Sequence, residues 1–307
     1  MRTAYLLVSH GSTDPRHQLA LARLARGVRQ HLGRLCRSQD MPFNLPMQNF
    51  EHSVDRLLET TSALSAGIPR WARCQPQGDY SDLPIVGTAT LEAAALSLAE
   101  QLVNFARTVI NQDVQQIVVV PLFLLAGVHV KEDLPAELAS AQPQLPAGLQ
   151  IKCLSHLGSQ ETFKQFVATR LNRTRADRCV LLAHGSRRAK GNQAMQQLGR
   201  RSNCHVAFWA VAPDLESQVA ELMQQGCQHI AIAPFFLFPG SITDAIIRRT
   251  EQLAEHLPKL SLRLLSPIGL SSDLSKVVAD IAIAATSQPL VTRYPLTQAV
   301  AKNSISA

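Results

Sequence analysis

Two short patterns each occur twice along the chain, in the same order. Residues 5–12 read YLLVSHGS and residues 179–186 read CVLLAHGS. Residues 117–127 read IVVVPLFLLAG and residues 230–240 read IAIAPFFLFPG. The first pattern is an apolar, β-rich run ending in His-Gly-Ser. The second is a buried-strand run, then Pro, then an apolar turn ending in Gly. Such repetition marks a doubled domain. The interval between the patterns is longer in the first copy, and the surplus falls at about 40–83. There Pro42, Pro46, Pro69, Pro76, Gly78 and Pro84 break up mixed polar sequence around one helical stretch near 52–66. This predicts an N-terminal lobe over 1–172 carrying the insertion and a C-terminal lobe over 173–287. A polar tail, 288–307, is expected to pack loosely.

Helical spacing of apolar residues predicts helices over 16–35, 92–109 and 130–139, with strands over 116–122 and near 149–154. The second half predicts strands over 178–183, 205–211, 228–234 and 260–265. Helices are predicted there over 188–201, 213–225, 241–256 and 271–286. Strands apolar on both faces and separated by helices form parallel β-α-β units. The expected fold class is α/β: two similar doubly wound parallel-sheet lobes facing a central cleft. In such sheets ligands bind outside the carboxyl ends of the strands, where both repeated patterns end.

Composition narrows the function classes. At 307 residues the chain fits about two domains. With 46% hydrophobic and 17% charged residues, global disorder is excluded. The mean hydropathy is +0.02, and no run approaches the ~20 apolar residues of a membrane span. The start, MRTAYLLVSHGS, has no signal-peptide pattern, so a cytoplasmic protein with no membrane partner is expected. The net charge of +7 suits an anionic partner. Scattered basic residues and 5% aromatics argue against nucleic acid. Six cysteines form no C-x-x-C pair and read as buried apolar residues or inert thiols. No Gly-x-Gly-x-x-Gly follows the first strand, which disfavours a dinucleotide enzyme.

The strand ends carry the chemistry. His10 closes the first strand and is followed by Gly11, which lets backbone approach a ligand, and by Ser12, which suits an anion at a helix start. His129 lies just past the third strand. Two imidazoles reaching one cleft suit Fe, Co, Ni or Zn, and either can accept a proton near neutral pH. The bland alternative for each is a hydrogen-bonded surface or capping histidine. The second half acts as an internal control: it keeps His184 but has Ile242 where the first half has His129. A histidine pair therefore places the active site in the N-terminal half.

The segments His-Gly-Ser-x-Asp-Pro-Arg at 10–16 and Val-Pro-Leu-Phe-Leu-Leu-Ala-Gly-Val-His-Val-Lys-Glu-Asp-Leu-Pro at 120–135 resemble the sirohydrochlorin chelatase family. These are class II metal chelatases acting on tetrapyrroles, and the long, internally doubled form is the most similar. The resemblance covers about 1–290. It implies two chelatase-type lobes and insertion of Fe2+ or Co2+ into sirohydrochlorin, an anionic tetrapyrrole, towards sirohaem or cobalamin. Ferrous iron is favoured, and the metal is a substrate, with no tightly bound cofactor. His10 and His129 correspond to the metal-handling pair. Glu92 is a candidate acid or metal guide, though Leu91-Glu92-Ala93-Ala94-Ala95 lacks the family's proline; its alternative is a first-turn helix acid. Ser12, Arg16, Gly127, Ser186, Arg187 and Arg188 are candidates for holding substrate, the arginines through its carboxylates. Lys131, Glu132 and Asp133 read as first-turn residues; Glu132 and Asp133 fit the helix dipole, with a secondary role in orienting His129. One doubled chain makes a monomer sufficient and leaves a dimer open. A non-catalytic tetrapyrrole or metal carrier, and a cobaltochelatase, are the competing readings.

Overall fold

The computed structural model describes residues 2–40, 84–188 and 190–286. The helix expected near 52–66 and the tail 288–307 lie outside the described residues. Strands β1 (Arg2–Ser9), β2 (Ile85–Thr90), β3 (Val114–Pro121) and β4 (Gln150–Cys153) form one parallel sheet in the order β2-β1-β3-β4. Strands β5 (Arg178–Ala183), β6 (His205–Phe208), β7 (His229–Pro234) and β8 (Ser261–Leu264) form a second, in the order β6-β5-β7-β8. The orders are identical, so the repeated sequence patterns are repeated topology. Helices α1 (Pro15–Asp40), α2 (Leu98–Ile110), α3 (Leu134–Ala141) and α4 (Glu161–Asn172) belong to the first half. Helices α5 (Gln193–Arg201), α6 (Leu215–Gln224), α7 (Ser241–His256) and α8 (Leu274–Thr286) belong to the second.

Alternation along the strands decides which helix covers which face. In β1, Ala4, Leu6 and Val8 pack with Leu102 and Ala106 of α2 and Leu134 of α3 on the outer face. Tyr5 and Leu7 point the other way and join Leu24, Val28 and Leu32 of α1. That second cluster does not stop at the lobe boundary. It runs on through Phe163 and Val167 of α4, Leu274, Val278 and Ile281 of α8, and Leu181 and Ala183 of β5. On the far side of the second sheet, Val180, Leu182 and Ile232 pack with Val219 and Leu222 of α6 and Ile246 of α7. The two sheets thus share one central helical layer, and α1 and α8 fill the space between the lobes. Close approach is possible because Gly27 of α1 meets Ser275 of α8, where a Cβ would press on the serine side chain. Each fully buried Leu, Ile or Phe in this layer contributes about 1.5–3 kcal/mol, so the lobes are welded through their helices.

Several elements differ from expectation. The helix expected over 92–109 starts only at Leu98, because Ser97 and Glu100 form a capping box and Glu137 Oε2 accepts a bond from Ala99 N at 2.7 Å. Strand β2 was not expected. It is short, and Gly87 leaves a space that Phe105 of α2 fills. Helix α4 was also not expected, and no side chain caps its start. The helix expected over 130–139 opens as a π-helical turn, His129–Asp133, before α3. Helix α5 starts at Gln193 rather than 188. Among the described residues, no helix is long and apolar enough to cross a membrane.

His17, in the first turn of α1, is buried and stacks edge-on against Phe238 of the second lobe, with ring centroids 4.8 Å apart. Burial holds its pKa below the usual 6.5; nearby His10 acts in the same direction and Asp14 opposes. In the unfolded chain His17 takes up a proton as pH falls through about 6.5, while the folded state resists it. Stability therefore falls as the pH drops below that value. A His17→Phe variant should lose less Tm than the parent between about pH 7 and pH 5, measured by calorimetry.

Gly158 and Gly269 occupy matching turns in the two lobes. A Cβ on either would overlap a backbone carbonyl oxygen, that of Leu124 or Leu237, in the turn after β3 or β7. Gly158→Ala and Gly269→Ala should each destabilise the fold by about 1–3 kcal/mol, read from urea unfolding, because backbone cannot move aside cheaply.

Candidate functional site

The local geometry begins where β1 and β2 end. Their pairing continues past the strands: Leu91 N donates to Ser9 O at 2.9 Å and Glu92 N donates to His10 O at 2.8 Å. Gly11 follows with φ +98° and sits so close to the Glu92 carbonyl that a Cβ would overlap it. Glu92 is therefore in an exposed loop, six residues before α2, and the first-turn helix reading of this residue is corrected. Ala93, next in the loop, has φ +55°. His129 comes from the other side, in the turn after β3.

The structure brings His10, Glu92 and His129 together, with ligand-capable atoms all within 4.8 Å of one another. The imidazoles meet edge to face, and the two Nε2 atoms are 3.0 Å apart. His129 Nδ1 donates to Asp133 Oδ2 at 2.7 Å. His10 Nδ1 faces Gly11 O at 3.3 Å. Glu92 reaches towards both rings, 3.8 Å from each Nδ1. With the Asp133 carboxylate accepting from its Nδ1, His129 turns its Nε2 lone pair towards His10 Nε2. The cluster lies open: the side chains of His10 and Glu92 are about half exposed (50% and 54%), and that of His129 is 33% exposed. Asp133 has a sharper role than the sequence indicated. It fixes the His129 tautomer, while its neighbours Lys131 and Glu132 are exposed. The signal was present as a His and an Asp four residues apart.

The expected anion contacts are less uniform. Ser12 Oγ accepts from Asp14 N at 3.1 Å and so shapes the loop. Gly127 is exposed, with no atom near where a Cβ would stand. Arg16 is already committed: it donates to Asp14 and, from the other lobe, to Asp244 at 2.9 and 2.7 Å. Ser186 is held in a turn by Asn192 and bonds Arg188 N, while the Arg187 and Arg188 side chains are exposed.

The second lobe repeats the scaffold without the ligands. Ala210 N donates to His184 O at 2.9 Å, as Glu92 N does to His10 O, so Ala210 stands where Glu92 stands. Ile242 matches His129, and buried Ile246 matches Asp133. Only His184 is kept.

A family model, CbiX, matches this chain twice, over residues 74–174 and 178–284. The chain belongs to the CbiX family. The first matched segment holds Glu92 and His129, and β1 with His10 lies before it. The sirohydrochlorin ferrochelatase of Priestia megaterium is 25% identical over 193 residues, 56% of this chain and 68% of that protein. Two solved structures share the fold of this CbiX-family chain. SirB from Bacillus subtilis with Fe3+ aligns with a TM-score of 0.63 and 20% identity, over 93% of this chain and 96% of that one. The sirohydrochlorin chelatase SirB from Bacillus subtilis subspecies spizizenii, in complex with cobalt, aligns at 0.58 and 18%, over 94% and 97%.

Because Asp133 sets the tautomer that frees the His129 Nε2 lone pair, Asp133→Asn should weaken divalent metal binding by about 10–100-fold. Titration with Co2+, followed by its visible absorption, measures this without turnover.

Proposed function

We propose that this protein inserts a divalent metal into sirohydrochlorin, with ferrous iron as the favoured metal and cobalt as the alternative. The observation that carries this reading is the pair of facing Nε2 atoms beside a carboxylate, on an open surface at strand ends. Two nitrogens each about 2.1 Å from one ion, and about 90° apart around it, are about 3.0 Å from each other. The observed 3.0 Å separation therefore suits two ligands of one metal. The name of the relative from Priestia megaterium, and those of the two solved structures, support the same chemistry.

His10 and His129 take the metal as it sheds water, with Glu92 compensating its charge. The open site matters because the ring is planar and larger than a closed pocket of this size of cluster would admit. Exposed Ala93, Ala94, Ala95 and Leu96 offer an apolar ledge beside Glu92 on which a ring face can lie. Gly127 lets the ring approach backbone on the His129 side. Metal passes from the imidazoles to the four ring nitrogens, and two pyrrole N–H protons leave. Glu92 and an imidazole released by the metal accept them. Ser12 and Arg16 in the lobe 1–172, with Ser186 and Arg187 in the lobe 173–287, anchor ring carboxylates. The second lobe, which keeps His184 but has Ala210 and Ile242 at the positions of Glu92 and His129, serves binding rather than metal transfer.

The test is anaerobic absorbance of the protein with sirohydrochlorin and Fe2+ or Co2+. Metal-dependent conversion of the ring spectrum is expected, with His10→Ala and His129→Ala each slowing it by about 10²–10⁴-fold. Ring binding without conversion by the parent protein would establish a carrier instead. The ratio of kcat/KM for the two metals ranks iron against cobalt.

A further inference from the structure

Arg16, six residues after His10 in sequence, bridges the lobes. It makes a fork to two carboxylates at once. Its Nε and Nη2 bond Asp14, which lies in the same loop as His10. Its Nη1 and Nη2 bond Asp244 Oδ1 and Oδ2, at 2.9 and 2.7 Å, in the first turn of α7. The second contact is the bidentate geometry by which a guanidinium holds any free carboxylate. Asp14 has other attachments: its Oδ1 accepts from Arg16 N, and Ser12 Oγ accepts from its own N–H, so it belongs to the loop. Asp244 comes from the other lobe, and its carboxyl is held below the ordinary range chiefly by the Arg16 hydrogen bond, with Arg248 adding to the effect and Asp14 opposing it. The guanidinium side chain is 48% exposed, so a carboxylate from solution can reach it.

Resting on the reading that the substrate is a polycarboxylate tetrapyrrole, we propose that Asp244 is a built-in competitor occupying a substrate-carboxylate subsite on Arg16. One carboxylate of the ring displaces Asp244 and takes over its two hydrogen bonds. The exchange opens the Arg16–Asp244 link between α1 and α7 as the ring enters, and closes it again as product leaves. It also makes Asp244 a specificity residue. A ligand must bring a carboxylate to the right place to break the clasp, so tetrapyrroles lacking one there meet an occupied subsite. Local charge favours this arrangement, since two carboxylates share Arg16 and leave Asp244 the more easily exchanged of the two.

The experiment is a binding titration of metal-free sirohydrochlorin by its absorbance, on the parent, Asp244→Asn, Arg16→Ala and the double variant, with a parallel conversion assay. Removing the competitor should tighten binding by roughly fivefold in Asp244→Asn. Arg16→Ala should weaken binding, and Asp244→Asn should have no further effect in that background. Asp244→Ser serves if the asparagine variant does not fold. Weaker or unchanged binding in both Asp244 variants would overturn the proposal, marking Asp244 as a support for Arg16 or a spectator; so would tighter binding that persists without Arg16. If the parent converts the ring while Asp244 variants bind it no better, this inference fails and the chelatase reading stands. If the parent neither binds nor converts the ring, the chelatase reading fails, and this inference with it.

Discussion

Leu91 and Glu92 donate their backbone N–H groups to Ser9 and His10 beyond the last residues of β2 and β1, and the site depends on that short extension. It carries Glu92 past the end of its strand and sets it beside the imidazole of His10. It also brings the Glu92 carbonyl against Gly11, so closely that no side chain fits there. Backbone hydrogen bonds of this kind are nearly obligatory once the groups leave water. The acid of the cluster is therefore positioned by main chain, and its half-exposed carboxylate faces both imidazoles. The histidine across from it is positioned differently, by the carboxylate of Asp133 on its own turn.

The rest of the molecule makes this edge rigid. Two four-stranded sheets with identical strand order are packed on one shared layer of helices. Arg16 and Asp244 meet across that boundary. Doubling the fold also doubles the strand-end scaffold, and the second copy has been emptied. Ala210, Ile242 and Ile246 stand where the first copy has Glu92, His129 and the Asp133 that bonds it. Ile246, at the position matching Asp133, joins the apolar core of the second lobe.

Much of the fold was legible in the sequence because buried parallel strands and amphipathic helices write their period into it. The strands over 178–183 and 228–234 and the helix over 241–256 lie within a residue of expectation. The unexpected strand β2 is only six residues long and contains a glycine whose missing side chain is supplied by Phe105, a contact that no local pattern announces. The helix expected from residue 92 failed for a related reason. Its Ala- and Leu-rich run has helical propensity, but the N–H groups of Leu91 and Glu92 are taken by β1, and the capping box at Ser97 then starts the helix late.

The sequence by itself determined the doubling, the α/β class, the two histidines and the absence of the second histidine from the later copy. These follow from residue identity and local periodicity. Only the tertiary structure decided that His10, His129 and Glu92 converge within 4.8 Å, that Asp133 rather than Glu132 orients His129, and that Arg16 is held by Asp244. Each of those is a meeting of groups from different elements. Its geometry is set by how strands pair and helices pack, and a linear pattern of residues carries that information only after the chain has folded.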